Sequence, residues 1–208
     1  MKYHIEKNTV QETLVIPLYG RKMCSELYPN LYRDETALRL MEQIDYDFSL
    51  LSQKSKSLMQ QFGFLEAAMR QNDLAWEVRD YLREHPNAAV VNLGCGLDDT
   101  GRSCDNGSCK IYNLDFPGVI AVRLMLKTWI KTAEIQDVGA YFAVSDAKKE
   151  LSAWSPRLRV SSRGYMLGYQ SLNDPSVPGF YRFLARVGDG MMRMQIVRLE
   201  FAEGETAL

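Results

Sequence analysis

The segment VVNLGCGLDD, residues 90–99, has the residue types of a strand that ends in a ligand-binding turn. Its β-branched residues are typical of a buried strand, and Gly94 and Gly96 follow directly. Because glycine has no side chain, a ligand can approach such a turn closely and meet backbone N–H groups at the start of the next helix. An acidic residue at the tip of the following strand, about 20 residues on, can accept hydrogen bonds from both ribose hydroxyls. Asp115 stands near that distance, so the three residues predict a site for an adenosine-like ligand.

The nature of this ligand depends on the residues that follow the second glycine. A dinucleotide site of the G-x-G-x-x-G type would have a third glycine where this chain has Asp99. Asp98 and Asp99 would repel phosphate groups and tolerate a positive charge. The residues therefore favour a nucleoside with a positive sulfonium group, S-adenosylmethionine, over a dinucleotide. A third interpretation, in which the glycines serve only the packing of a strand against a helix, stays open.

The chain has few residues from which a metal site or a nucleophilic catalytic site could be formed. The two histidines, His4 and His85, lie far in sequence from the cysteines, and no C-x-x-C spacing is present. Neither a zinc site nor a Ser-His-Asp or Cys-His mechanism is therefore expected. The four cysteines are expected to be free thiols: Cys24, Cys95, Cys104 and Cys109.

Composition narrows the classes of partner. The chain has 208 residues, 46% of them hydrophobic, which is enough for one large domain with a sizeable core. Its formal net charge of −1 provides no basic field for nucleic acid or for an anionic membrane. No run of about 18 apolar residues is present, and the first residues, MKYHIEKNTVQE, lack the apolar centre of a signal peptide. We expect a cytoplasmic protein whose partners are small molecules or other proteins.

Residues 9–84 have the pattern of helices with interruptions. In the segment 9–29, Pro17 predicts a kink and Gly20 predicts a break. Asp34 is a candidate N-cap for the segment DETALRLMEQI. Residues 64–84 carry apolar side chains at steps of three and four, which predicts an amphipathic helix that ends before HPN.

From residue 88 onward, strands and helices alternate. AAVVNL is a continuous apolar run, which predicts a central parallel strand covered on both faces. A loop, with or without a short helix, spans residues 98–109; a second strand then ends at Asp115, and Pro117 starts a helix that extends to about Glu134. The remaining segments predict a helix at 146–154, a strand at 157–169, a helix or turn at 179–191 and a strand at 192–204. The order indicates an α/β fold, with a helical region over residues 1–84 and the α/β core over residues 85–208.

Several of these segments together resemble a known family. TLVIPLYGRKM, AAMRQNDLAWEVRDYLREHP, VVNLGCGLDD and YNLDFPGVIAVR are similar to motifs of the leucine carboxyl methyltransferase and polyketide O-methyltransferase (tetracenomycin-type) family, and GYMLGY and MQIVRLEF to its last strands. The resemblance covers nearly the whole chain. It implies a class I methyltransferase: a Rossmann-like sheet, an N-terminal helical lid, and S-adenosylmethionine as cofactor.

The resemblance also implies roles for individual residues. It places in the cofactor-binding set Arg70, Gly94, Cys95, Gly96, Leu114 and Asp115. In that set the glycines would pass under the methionine part, Asp115 would hold the ribose, and Arg70 would pair with the cofactor carboxylate. Where the family has GLDTR this chain has GLDDTGR, which leaves the role of Arg102 open. No catalytic residue is implied, and the candidates for the acceptor pocket are Tyr19, Arg21, Tyr165 and Tyr169.

Methyl transfer is an in-line displacement at the sulfonium carbon, so positioning can supply most of the catalysis. A carboxylate acceptor needs no general base, whereas a hydroxyl acceptor needs one or needs its anion stabilised. The resemblance therefore implies an O-methyltransferase that acts on a carboxylate or a hydroxyl of a small molecule.

The resemblance breaks after Arg123. The segment LMLKTWIKTAEIQ is similar to the helix that follows the fifth strand in the family, so roughly 60 to 80 residues of middle strands and crossover helices are missing. Three explanations stay open: omitted residues, an internal deletion whose open sheet edges pair with another chain, or a degenerate member without activity. The alternative function is accordingly a non-catalytic protein that oligomerises or binds a partner through its sheet. A discontinuity is expected near Arg123 and Leu124, either as a chain break or as a fused helix whose extra apolar face is buried by another subunit.

Overall fold

The computed structural model describes residues 2–7, 9–125, 132–134, 146–168, 172–192 and 195–201. The helices of these residues are α1 (Val10–Leu27), α2 (Glu35–Gln43), α3 (Ser49–Lys54), α4 (Leu58–Glu84), α5 (Thr100–Cys104), α6 (Pro117–Met125), α7 (Ala147–Ser152) and α8 (Gly179–Met192). The strands are β1 (Tyr3–His4), β2 (Ile44–Asp45), β3 (Ala89–Leu93), β4 (Lys110–Asp115), β5 (Thr132–Glu134), β6 (Leu158–Gly164) and β7 (Gln195–Phe201). The fold is mixed α/β with small sheets, which confirms the expected class at that level.

The chain divides into two compact units. The first consists of Met1–Val138 with Asn173–Val177, and the second of Gly139–Leu172 with Pro178–Leu208. The predicted boundary between residues 84 and 85 lies inside the first unit, and that division stays a prediction.

The first unit contains a parallel sheet in the order β3-β4-β5. Val91 pairs with Tyr112, and Asp115 at the end of β4 pairs with Glu134. Gly101 of α5 lies so close to β4 that an added Cβ would be 3.1 Å from Ile111 Cγ2. Helices α4 and α5 thus cover one face of this sheet through a small apolar cluster, whose members include Ala75, Leu82, Val90 and Cys104.

Two expectations about this sheet are wrong. The segment AAVVNL was expected at the centre with both faces covered, but among the described residues β3 pairs only with β4, and Val91 and Leu93 are 53% and 69% exposed. Among the described strands β3 is at an edge, and α4 and α5 cover only the face that carries Val90, which leaves Val91 and Leu93 on the uncovered face. Thr132–Glu134, expected at the end of a helix, is a strand because it pairs in parallel with Asn113–Asp115.

The step from Arg123 to Leu124, where a chain break or a fused helix is expected, lies within α6. This helix runs through Arg123 and Leu124 to Met125, so it has no break at that step. Residues 126–131 and 135–145, which follow this step in the chain, lie outside the described residues. The internal deletion stays a prediction.

The N-terminal helices follow from local sequence with one correction. Asp34 caps α2 as expected, because its Oδ1 accepts a hydrogen bond of 2.7 Å from Ala37 N. Pro17 lies inside α1, but Gly20 does not break this helix. Gly20 instead allows close packing, since a Cβ there would lie 2.9 Å from Cδ1 of Phe64 on α4.

The second unit is built on the antiparallel pair β6 and β7, with Leu158 opposite Phe201 and Gly164 opposite Gln195. Asp146 caps α7 by accepting from Lys149 N at 3.0 Å. The segment 179–191, expected as a helix or turn, forms the helix α8. In the described part of the chain, no helix has the length and apolar character that crossing a membrane requires.

Two glycines in helix interiors test the packing of α1 against α4. At Gly63 an added Cβ meets nothing within 4 Å, so Gly63→Ala should raise the free energy of unfolding by up to about 1 kcal/mol through helix propensity. Gly20→Ala should lack this gain, because the new methyl group collides with Phe64. Urea unfolding of the two variants measures the difference. An equal gain at both positions would contradict the close approach of the two helices.

Candidate functional site

The predicted turn between β3 and α5 has the backbone that its glycines require. Gly94 and Gly96 have φ angles of +65° and +48°, in the left-handed region that residues with a side chain rarely adopt. The N–H groups of Gly94 and Cys95 donate to the carbonyl oxygen of Leu114, at 2.8 and 3.3 Å. The turn is therefore attached to the carboxyl end of β4.

Asp115 faces this turn. Its Oδ2 accepts a hydrogen bond of 2.7 Å from Gly96 N, and its Oδ1 accepts one of 2.8 Å from Phe116 N. The carboxylate is partly exposed, so it can accept further bonds from a ligand. The structure brings Gly94, Cys95, Gly96, Leu114 and Asp115 together. Their binding of a cofactor stays a prediction.

The N–H groups of the turn are used within the protein. Besides the bonds of Gly94, Cys95 and Gly96, the N–H of Asp98 donates to Cys95 O at 3.0 Å. The expectation that the turn presents these N–H groups to a ligand is therefore wrong at these four positions. What remains at the turn is open space, since an added Cβ at Gly94 would meet nothing within 4 Å. An open turn beside a carboxylate fits a nucleoside better than a pyrophosphate, which needs N–H donors.

Two buried arginines hold the carbonyl side of the turn. Arg123 Nη1 donates to Gly96 O at 2.5 Å and to Cys95 O at 3.2 Å, and Arg21 Nη2 donates to Leu97 O at 2.6 Å. Both arginines are 3% exposed. Burial lowers the pKa of the Arg123 guanidinium, whereas the neighbouring carboxylates and thiol raise that pKa. An arginine stays charged in such a site.

Arg21 also connects the turn with the helices before it. Its Nη1 donates to Asp34 Oδ2 and to Gln71 Oε1, both at 2.9 Å. Asp34 caps α2, and Gln71 belongs to α4. Arg21 was a candidate for the acceptor pocket, and the structure places it instead in this buried network.

Arg123 is not among the site residues that the sequence predicts. A detectable signal was present nonetheless: a charged residue in the apolar run GVIAVRLM must find buried partners. Its partners are backbone carbonyl oxygens 27 and 28 residues away in sequence, so spacing could not identify them.

The two aspartates after the turn serve the fold. Asp98 accepts from Asn92 Nδ2 at 3.1 Å and from Thr100 Oγ1 at 3.1 Å. Asp99 accepts from Thr36 Oγ1 at 3.0 Å, and burial raises the pKa of its carboxyl group. The expected effect of their charges on a ligand, repulsion of phosphate and tolerance of a cation, stays a prediction. Arg102 is exposed and donates to Thr36 Oγ1 at 3.3 Å.

The other candidates lie in different surroundings. Tyr19 is buried between Phe48 and Phe64, with ring centroids 5.8 and 5.6 Å away, so it belongs to the core. Tyr165 follows β6 in the second unit, and Tyr169 lies outside the described residues. Arg70 is on α4, directly before Gln71, and its pairing with a cofactor carboxylate stays a prediction.

The thiol at the turn is not activated. Burial raises the pKa of Cys95 to about 11 and that of Cys24 to about 12. Because the thiolate is the nucleophile, these groups are inert at neutral pH. Cys24, Cys95, Cys104 and Cys109 are free, and no group of residues that could hold a metal ion occurs in the described ranges.

Comparison with known proteins adds one relative. The chain is 32% identical over 118 residues to the tetracenomycin polyketide synthesis O-methyltransferase TcmP of Streptomyces glaucescens. The match covers 56% of this chain and 42% of that protein, so the chain spans less than half of the relative's length. No family model matches, and no solved structure matches. The match supports a relationship to methyltransferases.

Thiol reactivity tests the burial around the turn. At pH 8 a thiol with a pKa of about 11 is ionised to only about one part in a thousand, whereas Cys109 is half-exposed. A chromogenic disulfide reagent should therefore modify Cys109 about tenfold faster or more than the buried thiols of the folded protein. Cys109→Ser should remove the fast phase and Cys104→Ser should retain it. A fast phase that survives Cys109→Ser would show that a buried thiol is accessible.

Proposed function

We propose that the chain is an S-adenosylmethionine-dependent O-methyltransferase that acts on a carboxylate or a hydroxyl of a small molecule. The observation that carries the proposal is the Asp115 carboxylate, bonded to Gly96 N–H at 2.7 Å beside the open turn at Gly94. The relationship to an O-methyltransferase supports the reaction class. The chain covers 42% of that relative, and the rest of the activity is part of the proposal.

The residues at the turn fit an adenosine-type cofactor. Each carboxylate oxygen of Asp115 accepts one backbone N–H, and a carboxylate has about four acceptor positions in all. Asp115 can therefore accept two ribose hydroxyls without releasing the turn. The uncovered backbone at Gly94 leaves space beside it for the rest of the molecule.

Within this proposal, Asp115 binds and orients the ribose, the turn at Gly94 and Gly96 lets the cofactor approach the backbone, and Arg70 pairs with the terminal carboxylate. S-adenosylmethionine, when bound, supplies an activated methyl group. The protein contributes orientation and the exclusion of water, since in-line transfer to a carboxylate needs no general base.

A second candidate function has its own observation. On the face of the sheet opposite α4 and α5, Val91, Leu93 and Tyr112 are exposed, and β3 has one edge without a partner among the described strands. An open apolar edge pairs readily with another chain. A non-catalytic protein that forms a homo-oligomer or binds a partner there is therefore the alternative. It predicts no binding of S-adenosylmethionine.

Calorimetric titration with S-adenosylmethionine tests the proposed function. The wild-type chain should bind one equivalent, and Asp115→Asn should weaken binding about 10- to 100-fold, because charged hydrogen bonds to the ribose are lost. The substitution preserves the size of the side chain, and the single acceptor oxygen of asparagine can keep the bond from Gly96 N–H or the one from Phe116 N–H, but not both.

Asp105→Asn is the matched control. Asp105 also accepts a glycine N–H, from Gly107 at 2.8 Å, in an exposed loop, so this variant should bind like the wild type. Absence of binding to the wild-type chain would refute the proposed cofactor and favour the alternative.

A second titration tests Arg70. Arg70→Ala should weaken S-adenosylmethionine about tenfold through loss of a charge-assisted pair, and it should leave 5′-methylthioadenosine, which lacks the carboxylate, unaffected. Arg79→Ala, an exposed position on the same helix, should change neither affinity. Equal weakening of both ligands by Arg70→Ala would assign Arg70 to the fold instead of the cofactor carboxylate.

A further inference from the structure

Arg123 meets the turn from the inside of the protein. Its position on α6, beside the buried Val122, places the guanidinium under the carbonyl oxygens of Cys95 and Gly96. Asp98 Oδ1 lies 3.9 Å from Nη1 and adds a carboxylate to this environment. A cation that is 3% exposed is held in one place by these oxygens, because leaving them would cost its solvation.

The peptide between Cys95 and Gly96 connects Arg123 with Asp115. No cis peptide is present in the described ranges, and in a trans peptide the C=O and N–H groups point in opposite directions. The carbonyl oxygen of this peptide accepts from Arg123, and its N–H donates to Asp115 Oδ2. The direction of the carboxylate is therefore set in part by the peptide plane that the guanidinium holds and in part by the N–H of Phe116, which donates to Oδ1.

The glycines make such a constraint necessary. Glycine can populate many backbone conformations, so a turn with two glycines in the left-handed region does not keep its peptide planes unaided. An apolar residue at position 123 would leave Gly96 O without this donor and Cys95 O with only the N–H of Asp98. Rotation of the less restrained Cys95–Gly96 peptide would then turn the Gly96 N–H away from Asp115.

Arg21 is as buried as Arg123, but it donates to a different peptide of the turn. It binds Leu97 O, and the N–H of that peptide belongs to Asp98, which donates to Cys95 O. This peptide has no bond to Asp115. Arg21 thus reaches the Cys95–Gly96 peptide only indirectly, through the N–H of Asp98, whereas Arg123 donates to the carbonyl oxygen of that peptide itself.

We propose that Arg123 is a positioning residue for the cofactor site: by holding the Cys95–Gly96 peptide from inside, it orients the Gly96 N–H and thereby fixes the Asp115 carboxylate in the direction that receives a ribose. The inference rests on the proposed function for the identity of the ligand. The role of Arg123 in orienting Asp115 does not depend on the proposed function.

The first measurement uses the protein without ligand. In the wild-type background, Asp115→Asn should clearly shift the amide resonance of Gly96 in a ¹H–¹⁵N spectrum. In an Arg123→Met background the same substitution should shift it little, because the N–H no longer points at residue 115. In an Arg21→Lys background the full shift should remain. A full shift with Arg123→Met would overturn the proposal.

The second measurement is a double-mutant cycle with S-adenosylmethionine in the calorimeter. Arg123→Met should weaken binding about tenfold, and the double variant with Asp115→Asn should be less than about threefold weaker than Asp115→Asn alone, since both act through one contact. Any weakening caused by Arg21→Lys should instead multiply with that of Asp115→Asn. Multiplicative effects for Arg123→Met would give it a general structural role and overturn the proposal.

Thermal unfolding shows whether Arg123→Met folds. If it does not fold, both measurements are made with Arg123→Lys instead. A lysine retains the charge and can reach one carbonyl oxygen, so it should restore part of the Gly96 shift and part of the affinity. No rescue by lysine in a folded variant would count against the proposal. If the wild-type chain does not bind S-adenosylmethionine, the proposed function fails, and the amide measurement still decides the role of Arg123.

Discussion

The carbonyl oxygens of Cys95, Gly96 and Leu97 point into the protein at two buried guanidinium groups, while the N–H side of the same turn faces β4. Much of the described first unit depends on this arrangement. A buried cation is tolerated only where acceptors surround it, and here the acceptors include the backbone carbonyl oxygens of the turn, of which Cys95 O also accepts from the N–H of Asp98. Arg21 adds Asp34 and Gln71 to the network, so α2 and α4 are tied to the turn by the same charge.

In this arrangement the N–H donors that would bind a negative charge have partners within the protein, and the space beside the turn stays open. The turn uses its N–H groups internally and presents a carboxylate with open space, so it suits a ligand with hydroxyl groups to donate. Asp98 and Asp99 are bound to Asn92, Thr100 and Thr36, and their charges support the fold. Within the proposed function, discrimination against phosphate would rest on the occupied N–H donors and only to a smaller extent on repulsion by the two aspartates.

Local signals in the sequence predicted much of the fold. Asp34 caps α2 and Pro117 begins α6, and both features depend on residues nearby in sequence. The spacing of Gly96 and Asp115 correctly indicated that they are in contact, because they follow adjacent parallel strands. The exposure of β3 and the short strand β5 could not be read in this way, since a strand's neighbours are set by distant pairing. The partners of Arg123 were equally non-local, although its place in an apolar run indicated that it would need some.

The core of the first unit restricts how a ligand can enter. Leu97 of the turn, Leu18 of α1 and Val122 of α6 belong to one buried cluster. If α1 swung away from the turn as a rigid flap, these side chains would be exposed at a cost of about 1.5 to 3 kcal/mol each. Leu14 also lies over Gly96, 3.6 Å from where a Cβ would be. For the proposed cofactor, this packing favours an approach past Gly94 and the exposed Phe116, with the N-terminal helices staying in place.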